Sequence, residues 1–231
     1  MVKKRTDKVS RARQMIMTFL ALIAIGFFGI SIYYGTGVKN SGPIEEGEDY
    51  VLLENPLRTQ NRDIIDVTEY FSYRCIHCKS FEPLLEDWLT SVPKDVSFGR
   101  QHVVFSASDE LFARTHLVLT DNSSYQFLHA RLFAAIHDRQ KRFGNKEAIT
   151  DYLKDYGIDE SIFNREFNSP RISRALQKDR STQGRSQLAA TPSLLVSGKY
   201  LISMANGQER ALAVASNLVN KERSLRAKTS P

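Results

Sequence analysis

Cysteine is nearly missing from this chain: two residues in 231, three positions apart. That scarcity excludes a small scaffold stapled by several disulfides. It also argues against a structural zinc module, because no second C-x-x-C exists and the five histidines have no finger spacing. Glycine and proline are sparse, at 12 and 7 residues, and no internal repeat is visible, so a collagen-like chain is ruled out. Hydrophobic residues make up 42% of the chain, too many for a disordered tail protein. At this length they can bury one core, alone or with an insertion.

A basic domain is missing too. The formal net charge is +6, but residues 1–14 hold Lys3, Lys4, Arg5, Lys8, Arg11 and Arg13 against Asp7 and account for +5. The other 217 residues carry 26 basic and 25 acidic groups, so no nucleic-acid partner is expected. Behind the basic tail, residues 15–34 (MIMTFLALIAIGFFGISIYY) run for twenty positions without a charge. As a helix this run spans about 30 Å, the thickness of a hydrocarbon core. Tyr33 and Tyr34 sit at its end, where aromatic side chains favour the membrane interface. A cleaved signal peptide and a buried helix are the competing readings; signal cores run about 7–15 residues and end at an A-x-A site, and no A-x-A directly follows Tyr34.

The expected organisation is therefore a cytoplasmic tail (1–14), a transmembrane anchor in the lipid bilayer (15–34), a flexible linker (35–48) and a domain (49–231). The linker sequence, GTGVKNSGPIEEGE, gives a reach of about 20 Å. The positive-inside rule puts the N-terminus in the cytoplasm and the domain across the inner membrane, in the oxidising periplasm or cell exterior.

Within the domain, residues 64–71 (IIDVTEYF) have strand composition and lead into the cysteines. Beyond them Phe81, Leu84, Leu85, Trp88 and Leu89 recur at helical spacing, with Pro83 expected to interrupt and kink the helix. Residues 96–105 return to strand composition, completing a strand–helix–strand unit. From about 108 to 190 the pattern is helical. Leu111, Thr115 and Val118 share one face, and Leu128, Leu132 and Ile136 another. Asn145, Asp159 and Ser169-Pro170 are expected helix starts and Gly157 a helix stop. Strands over 193–196 and 200–203 follow, joined around Ser197-Gly198-Lys199, and then a helix over 208–220. The polar tail 221–231 is expected to fray.

Chemistry concentrates in Cys75-Ile76-His77-Cys78, where a strand gives way to a helix. A thiolate is the reactive form of cysteine, and a helix N-terminus with its free N–H groups stabilises one. His77 is placed to add positive charge or a hydrogen bond to the Cys75 sulfur. A structural disulfide, a zinc ligand pair and two inert thiols are the plainer readings. A four-residue loop stabilises little by closure, and zinc would need two further ligands.

The segments VTEYFSYRCIHC (67–78) and ATPSLLVSGKY (190–200) resemble the thioredoxin-fold oxidoreductases, and among them the DsbA-like thiol:disulfide interchange proteins. The resemblance implies an α/β thioredoxin-like fold with a helical domain inserted at about 108–190, here preceded by the transmembrane helix. It implies that Cys75 attacks, Cys78 resolves the mixed disulfide and His77 stabilises the Cys75 thiolate. Thr191-Pro192 matches the cis-proline that meets substrate, and Glu69 and Arg100 match a buried acid and base that tune the site. No organic cofactor or metal is implied. The implied partners are cysteine-containing exported proteins and a membrane thiol reoxidant of the DsbB type.

Three features depart from the DsbA pattern. Ile76-His77 lacks the proline typical of strong oxidases, Thr191 replaces the usual Val, and Pro83 is more like thioredoxin. Introduction of disulfides is the expected activity, with a reductase or isomerase fed by a membrane donor, and a non-catalytic chaperone or assembly scaffold, as alternatives. His102, His116, His129 and His137 read as satisfied core or surface histidines. Arg171, Arg174, Lys178, Arg180 and Arg185 read as a solvated basic face.

Overall fold

The computed structural model describes residues 14–26, 42–59, 61 and 63–229. The chain divides into two units, Met1–Pro43 and Ile44–Pro231. In the first, residues 14–26 form a helix (α1) whose Met15, Ile16, Phe19, Leu20, Leu22 and Ile25 side chains are exposed. Among the described residues no helix is long and apolar enough to cross a membrane. The rest of the expected 15–34 span, the tail before residue 14 and residues 35–41 of the linker lie outside the described residues.

The second unit is built on a five-stranded sheet in the order β1-β5-β4-β2-β3. Its strands are β1 (Tyr50–Leu52), β2 (Ile65–Phe71), β3 (Val96–His102), β4 (Ser193–Val196) and β5 (Tyr200–Ile202). β2 and β3 run parallel, and the β1/β5, β2/β4 and β4/β5 pairs are antiparallel. Helix α2 (Ile76–Ser91) crosses between β2 and β3, and α8 (Gln208–Thr229) closes the chain. Strand residues alternate faces. Ile65 and Val67 pack with Phe81, Leu85 and Trp88 of α2 and Leu212, Ala215 and Leu218 of α8. Tyr70 packs on the other face with Leu53, Val103 and Leu195.

Between β3 and β4 lies the expected helical insertion: α3 (Ala107–Leu119), α4 (Tyr125–His137), α5 (Lys146–Lys154), α6 (Glu160–Phe167) and α7 (Pro170–Arg185). It has its own core, in which Leu128, Leu132, Phe133, Ile149 and Phe163 join Phe71, Tyr73 and Cys78. The expected starts are in place. Asn145, Asp159 and Ser169 accept from the N–H groups of Ala148, Ile162 and Ile172. Each such cap contributes about 1 kcal/mol. Gly157, with φ +84°, takes the left-handed conformation that ends α5's final turn. Ser197 and Gly198 both have positive φ in the β4–β5 turn, and a Cβ on Gly198 would lie 2.5 Å from the Leu57 carbonyl oxygen. Only glycine fits there.

Four expectations are corrected. Helix α2 runs through Pro83 to Ser91 without interruption, because Phe81, Leu85 and Trp88 hold both halves on the sheet. β3 ends at His102 instead of Phe105. The 221–231 tail does not fray at 221: α8 continues to Thr229, held by the buried Glu222, which accepts from Lys199 Nζ and Tyr200 Oη at 2.8 and 2.9 Å. The compact unit begins at Ile44, inside the expected 35–48 linker. Ile44 packs on the core, and Asp49 pairs with Arg210 at 2.7 Å in a buried contact.

Candidate active site

β2 points at the start of α2, and Ser72, Tyr73 and Arg74 make the join. Cys75 is the N-cap of α2: its backbone is extended (φ −91°, ψ 115°), and its sulfur accepts from the Cys78 N–H at 3.4 Å. The sulfur thus stands where a serine or aspartate oxygen usually caps a helix, facing the open N–H groups and the positive end of the dipole. No acidic residue in the first turn offsets that field.

Cys75 is half-buried, whereas Cys78 is fully buried among the insertion's apolar side chains. The hydrogen bond from the Cys78 thiol, with those from Thr191 and the N–H groups of Cys78 and His77, lowers the Cys75 pKa to about 5. Burial, reinforced by Cys75, pushes the Cys78 thiol well up. One sulfur is therefore a thiolate at neutral pH and the other a thiol.

Thr191-Pro192 is a cis peptide bond, as the resemblance implies. The Thr191 carbonyl lies 3.3 Å from the Cys75 sulfur and accepts from its thiol form. His77 is placed differently from expectation. Its ring is exposed and no hydrogen bond links it to Cys75; its backbone N–H is what reaches the sulfur. The His77 carbonyl accepts from Gln208 Nε2 at 2.7 Å, tying the start of α2 to the start of α8.

Beneath the cysteines, Glu69 and Arg100 are register partners on β2 and β3, and Arg100 Nε donates to Glu69 Oε2 at 3.0 Å. The expected pair is part of a larger cluster. Arg100 Nη2 also donates to Glu82 of α2 at 2.9 Å, and Glu82 accepts from His129 Nε2 of α4 at 3.0 Å. His129 Nδ1 in turn lies 2.9 Å from the Tyr73 hydroxyl. Burial, aided by the charge on Glu82, raises the Glu69 pKa. Burial opposes ionisation of Glu82 as well, but His129 and Arg100 together outweigh it and lower that pKa.

Sequence reasoning missed Glu82, although one signal was there: it follows Cys78 by four residues and so shares its helix face. Nothing in the sequence pairs His129 with Tyr73. The reading of the histidines as satisfied holds. His102 accepts from the Tyr73 N–H and donates to the Val103 carbonyl, His116 donates to the Arg100 carbonyl, and His137 donates to the Tyr73 carbonyl. The basic residues of α7 lie on its exposed side, where Arg171 pairs with Asp121 and Arg180 with Glu110.

Comparison with known proteins agrees with this geometry. The thioredoxin family model matches residues 65–212. The thiol:disulfide interchange protein DsbA of Pseudomonas aeruginosa is 32% identical over 213 residues, covering 91% of this chain and 97% of the relative. DsbA of Pseudomonas syringae pv. tomato is 29% identical over 205 residues, covering 88% and 93%. The crystal structure of P. aeruginosa DsbA superimposes with a TM-score of 0.77 at 30% identity, covering 80% of this chain and 97% of that one. A thioredoxin sheet, an inserted helical domain and a cysteine pair at the start of α2 coincide with likeness along nearly the whole chain. The chain belongs to the DsbA-like thiol:disulfide interchange proteins, thioredoxin-fold thiol:disulfide oxidoreductases, with Cys75 and Cys78 as its C-x-x-C pair.

Proposed function

We propose that the protein introduces disulfide bonds into exported cysteine-containing proteins, working on the far side of the cytoplasmic membrane to which its N-terminal segment anchors it. A substrate thiolate attacks the Cys75 sulfur of the Cys75–Cys78 disulfide. Cys78 leaves with the bond's electron pair and takes up a proton, giving a Cys75–substrate mixed disulfide. A second substrate thiolate attacks the substrate sulfur of that bond and expels Cys75 as a thiolate. The substrate is oxidised by two electrons and the enzyme reduced by two. A membrane thiol reoxidant of the DsbB type then restores the enzyme's disulfide.

One observation carries this reading: the Cys75 sulfur sits as the N-cap acceptor of α2, with its pKa lowered to about 5 by the Cys78 thiol, Thr191 and backbone N–H groups. A stabilised thiolate is a good leaving group, which favours passing the disulfide on. The Thr191 carbonyl lies 3.3 Å from the sulfur, next to the cis bond to Pro192, which supports a backbone docking place for the incoming chain. The exposed apolar side chains of α1, within a run that stays uncharged to Tyr34, support the anchor, and the basic tail before it supports the orientation.

The first test is refolding of a reduced two-cysteine substrate. Cys75→Ser should abolish oxidation, and full retention of activity would sink the assignment. The second is thiol trapping in living cells, where the pair should be mostly oxidised. A mostly reduced pair favours the reverse direction, a reductase or isomerase, the reading to which Thr191 before the cis-proline lends support.

A further inference from the structure

Two carboxylates compete for one guanidinium beneath the cysteines, and hydrogen-bond bookkeeping decides which of them is charged. The groups facing the cluster come from five elements. They are Glu69 and Tyr73 from β2 and the turn after it, Arg100 from β3, Glu82 and Glu86 from α2, His116 from α3, and Tyr125, Gln126 and His129 from α4. Glu82 receives two donors, Arg100 Nη2 on Oε2 and His129 on Oε1. Glu69 receives one, and its Oε1 is buried with no partner.

The histidine makes the difference, and a tyrosine sets the histidine. His129 is 0% exposed and has a carboxylate on one side and a phenol on the other. The Tyr73 hydroxyl is buried, with burial pushing its pKa far above its ordinary value, so it stays protonated and donates to Nδ1. The Tyr125 hydroxyl lies 3.4 Å from both His129 Nδ1 and His116 Nδ1, and its single hydrogen goes to His116, whose Nε2 donates to the Arg100 carbonyl. With Nδ1 accepting, a neutral ring carries its proton on Nε2 and delivers it to Glu82. The chain Tyr73 Oη–H to His129 Nδ1, His129 Nε2–H to Glu82 Oε1 is then satisfied at every atom.

We infer that Tyr73 and His129 are positioning residues for thiol–disulfide exchange: their hydrogen-bond chain holds the cluster's negative charge on Glu82, and so keeps Glu69, the carboxyl coupled to the attacking cysteine, neutral. Arg100 and Glu82 then balance each other, and the acid that couples electrostatically to the Cys75 sulfur carries no charge against it. Without the His129 donor, Glu82 loses one of its two supports, the Arg100 charge turns to Glu69, and a carboxylate forms where it opposes the thiolate. This effect is independent of the direction in which the enzyme runs in the cell.

The test uses the full chain in detergent and two readouts, the Cys75 titration followed by thiolate ultraviolet absorbance and the redox equilibrium with glutathione. His129→Leu should raise the titration midpoint by about half a unit to one unit. It should make the disulfide less oxidising by roughly three- to tenfold, one unit being a tenfold change. Tyr73→Phe frees the His129 tautomer and should shift both readouts in the same sense by less. His129→Gln keeps a donor and an acceptor about as far apart as the two ring nitrogens, and should restore values near wild type. Wild-type midpoints in folded His129→Leu and Tyr73→Phe would overturn the inference, as would a His129→Gln shift as large as that of leucine. Should His129→Leu fail to fold, Tyr73→Phe and His129→Gln decide the matter by the same criteria.

Discussion

Oxidising the Cys75–Cys78 dithiol is the perturbation that bears most directly on the electrostatics of the α2 start. In the dithiol form, Cys75 titrates at about 5 when folded, against 9.0 for an unperturbed thiol. A depressed pKa contributes stability that is complete above the unfolded value and is lost as the pH falls through the folded one. At pH 7.5 the folded thiol is ionised across 2.5 units in which the unfolded one is not, an upper limit of about 3.4 kcal/mol. Water reaches the half-buried sulfur, so screening takes this to about 1.7 kcal/mol. At pH 4 the contribution is near zero. The disulfide form has no such dependence; closing a four-residue loop gives it about 1.9 kcal/mol at every pH. Glu69 is present in both forms and cancels to first order, and the Cys78 thiol stays protonated throughout this range.

The disulfide form should therefore be the more stable at pH 4 by about 2 kcal/mol, and the gap should close or reverse between about pH 6.5 and 8. DsbA is itself the known example of a dithiol form stabilised in this way, so the direction is expected of the family. The size follows from this chain's own contacts. Urea unfolding of both redox forms from pH 4 to 8, read on the buried Trp88, the chain's one tryptophan, measures it. A gap that stays constant within about 0.5 kcal/mol over that range would refute a thiolate at about 5.

Three other outcomes are expected. Cys78→Ala removes the resolving thiol, so mixed disulfides of Cys75 with substrate should accumulate on non-reducing gels; free substrate turnover without them would contradict the assigned roles. Arg210→Ala takes the two guanidinium hydrogen bonds from Asp49, which keeps those from Asn206 and the Glu45 N–H, and should cost about 2 kcal/mol. Because Asp49 is lowered from 3.8 to about 2, chiefly by its bond from Arg210, that loss should be complete above pH 4 and vanish as the pH falls through 2, as acid titration of both proteins would show. Truncation after Asn220 removes Glu222 from Lys199 and Tyr200 and Arg223 from Asp95, and should cost about 2–3 kcal/mol in urea unfolding. An unchanged midpoint would mean the last turns of α8 are ornamental.

How much of this was legible in the sequence depended on the range of the interaction. Local chemistry read well. Caps such as Asn145, Asp159 and Ser169 are decided within three residues, and the Ser197-Gly198 turn within two. Composition located β2, and period-3.6 patterns located α2 and the insertion helices, because each helix buries one face. β1 escaped because three residues with only Tyr50 buried carry no period. The end of α8 escaped because its polar residues are held by Glu222 and Arg223, whose partners on β5, on the turn before it and at Asp95 are 22 to 128 positions away. The site divides in the same way. The cysteine pair and Thr191-Pro192 are carried by short motifs, whereas the Glu69–Arg100–Glu82–His129 cluster joins four elements and exists only after folding. His77 shows the converse: the hydrogen bond that proximity in sequence suggested for its ring comes from its backbone N–H, the ring lying exposed at the second position of the helix.

The helical insertion belongs to the chemistry for a reason the sheet order makes plain. β3 is the last strand of the sheet, so on a bare thioredoxin frame Arg100 would lie along an open edge with water around its guanidinium. Helices α3 and α4 cover that edge. His116 donates to the Arg100 carbonyl at 3.1 Å, Gln126 reaches Arg100 and Glu86, and His129 closes over Glu82. Under this cover the Arg100 side chain is 6% exposed and Glu69 fully buried. A charge cluster influences a neighbouring thiol strongly only when water does not screen it. The insertion also supplies the apolar surroundings that hold Cys78 as a thiol. The separation of the two cysteines into thiolate and thiol thus has two sources. The helix start lowers one sulfur, and the inserted domain raises the other while keeping the charges beneath them dry.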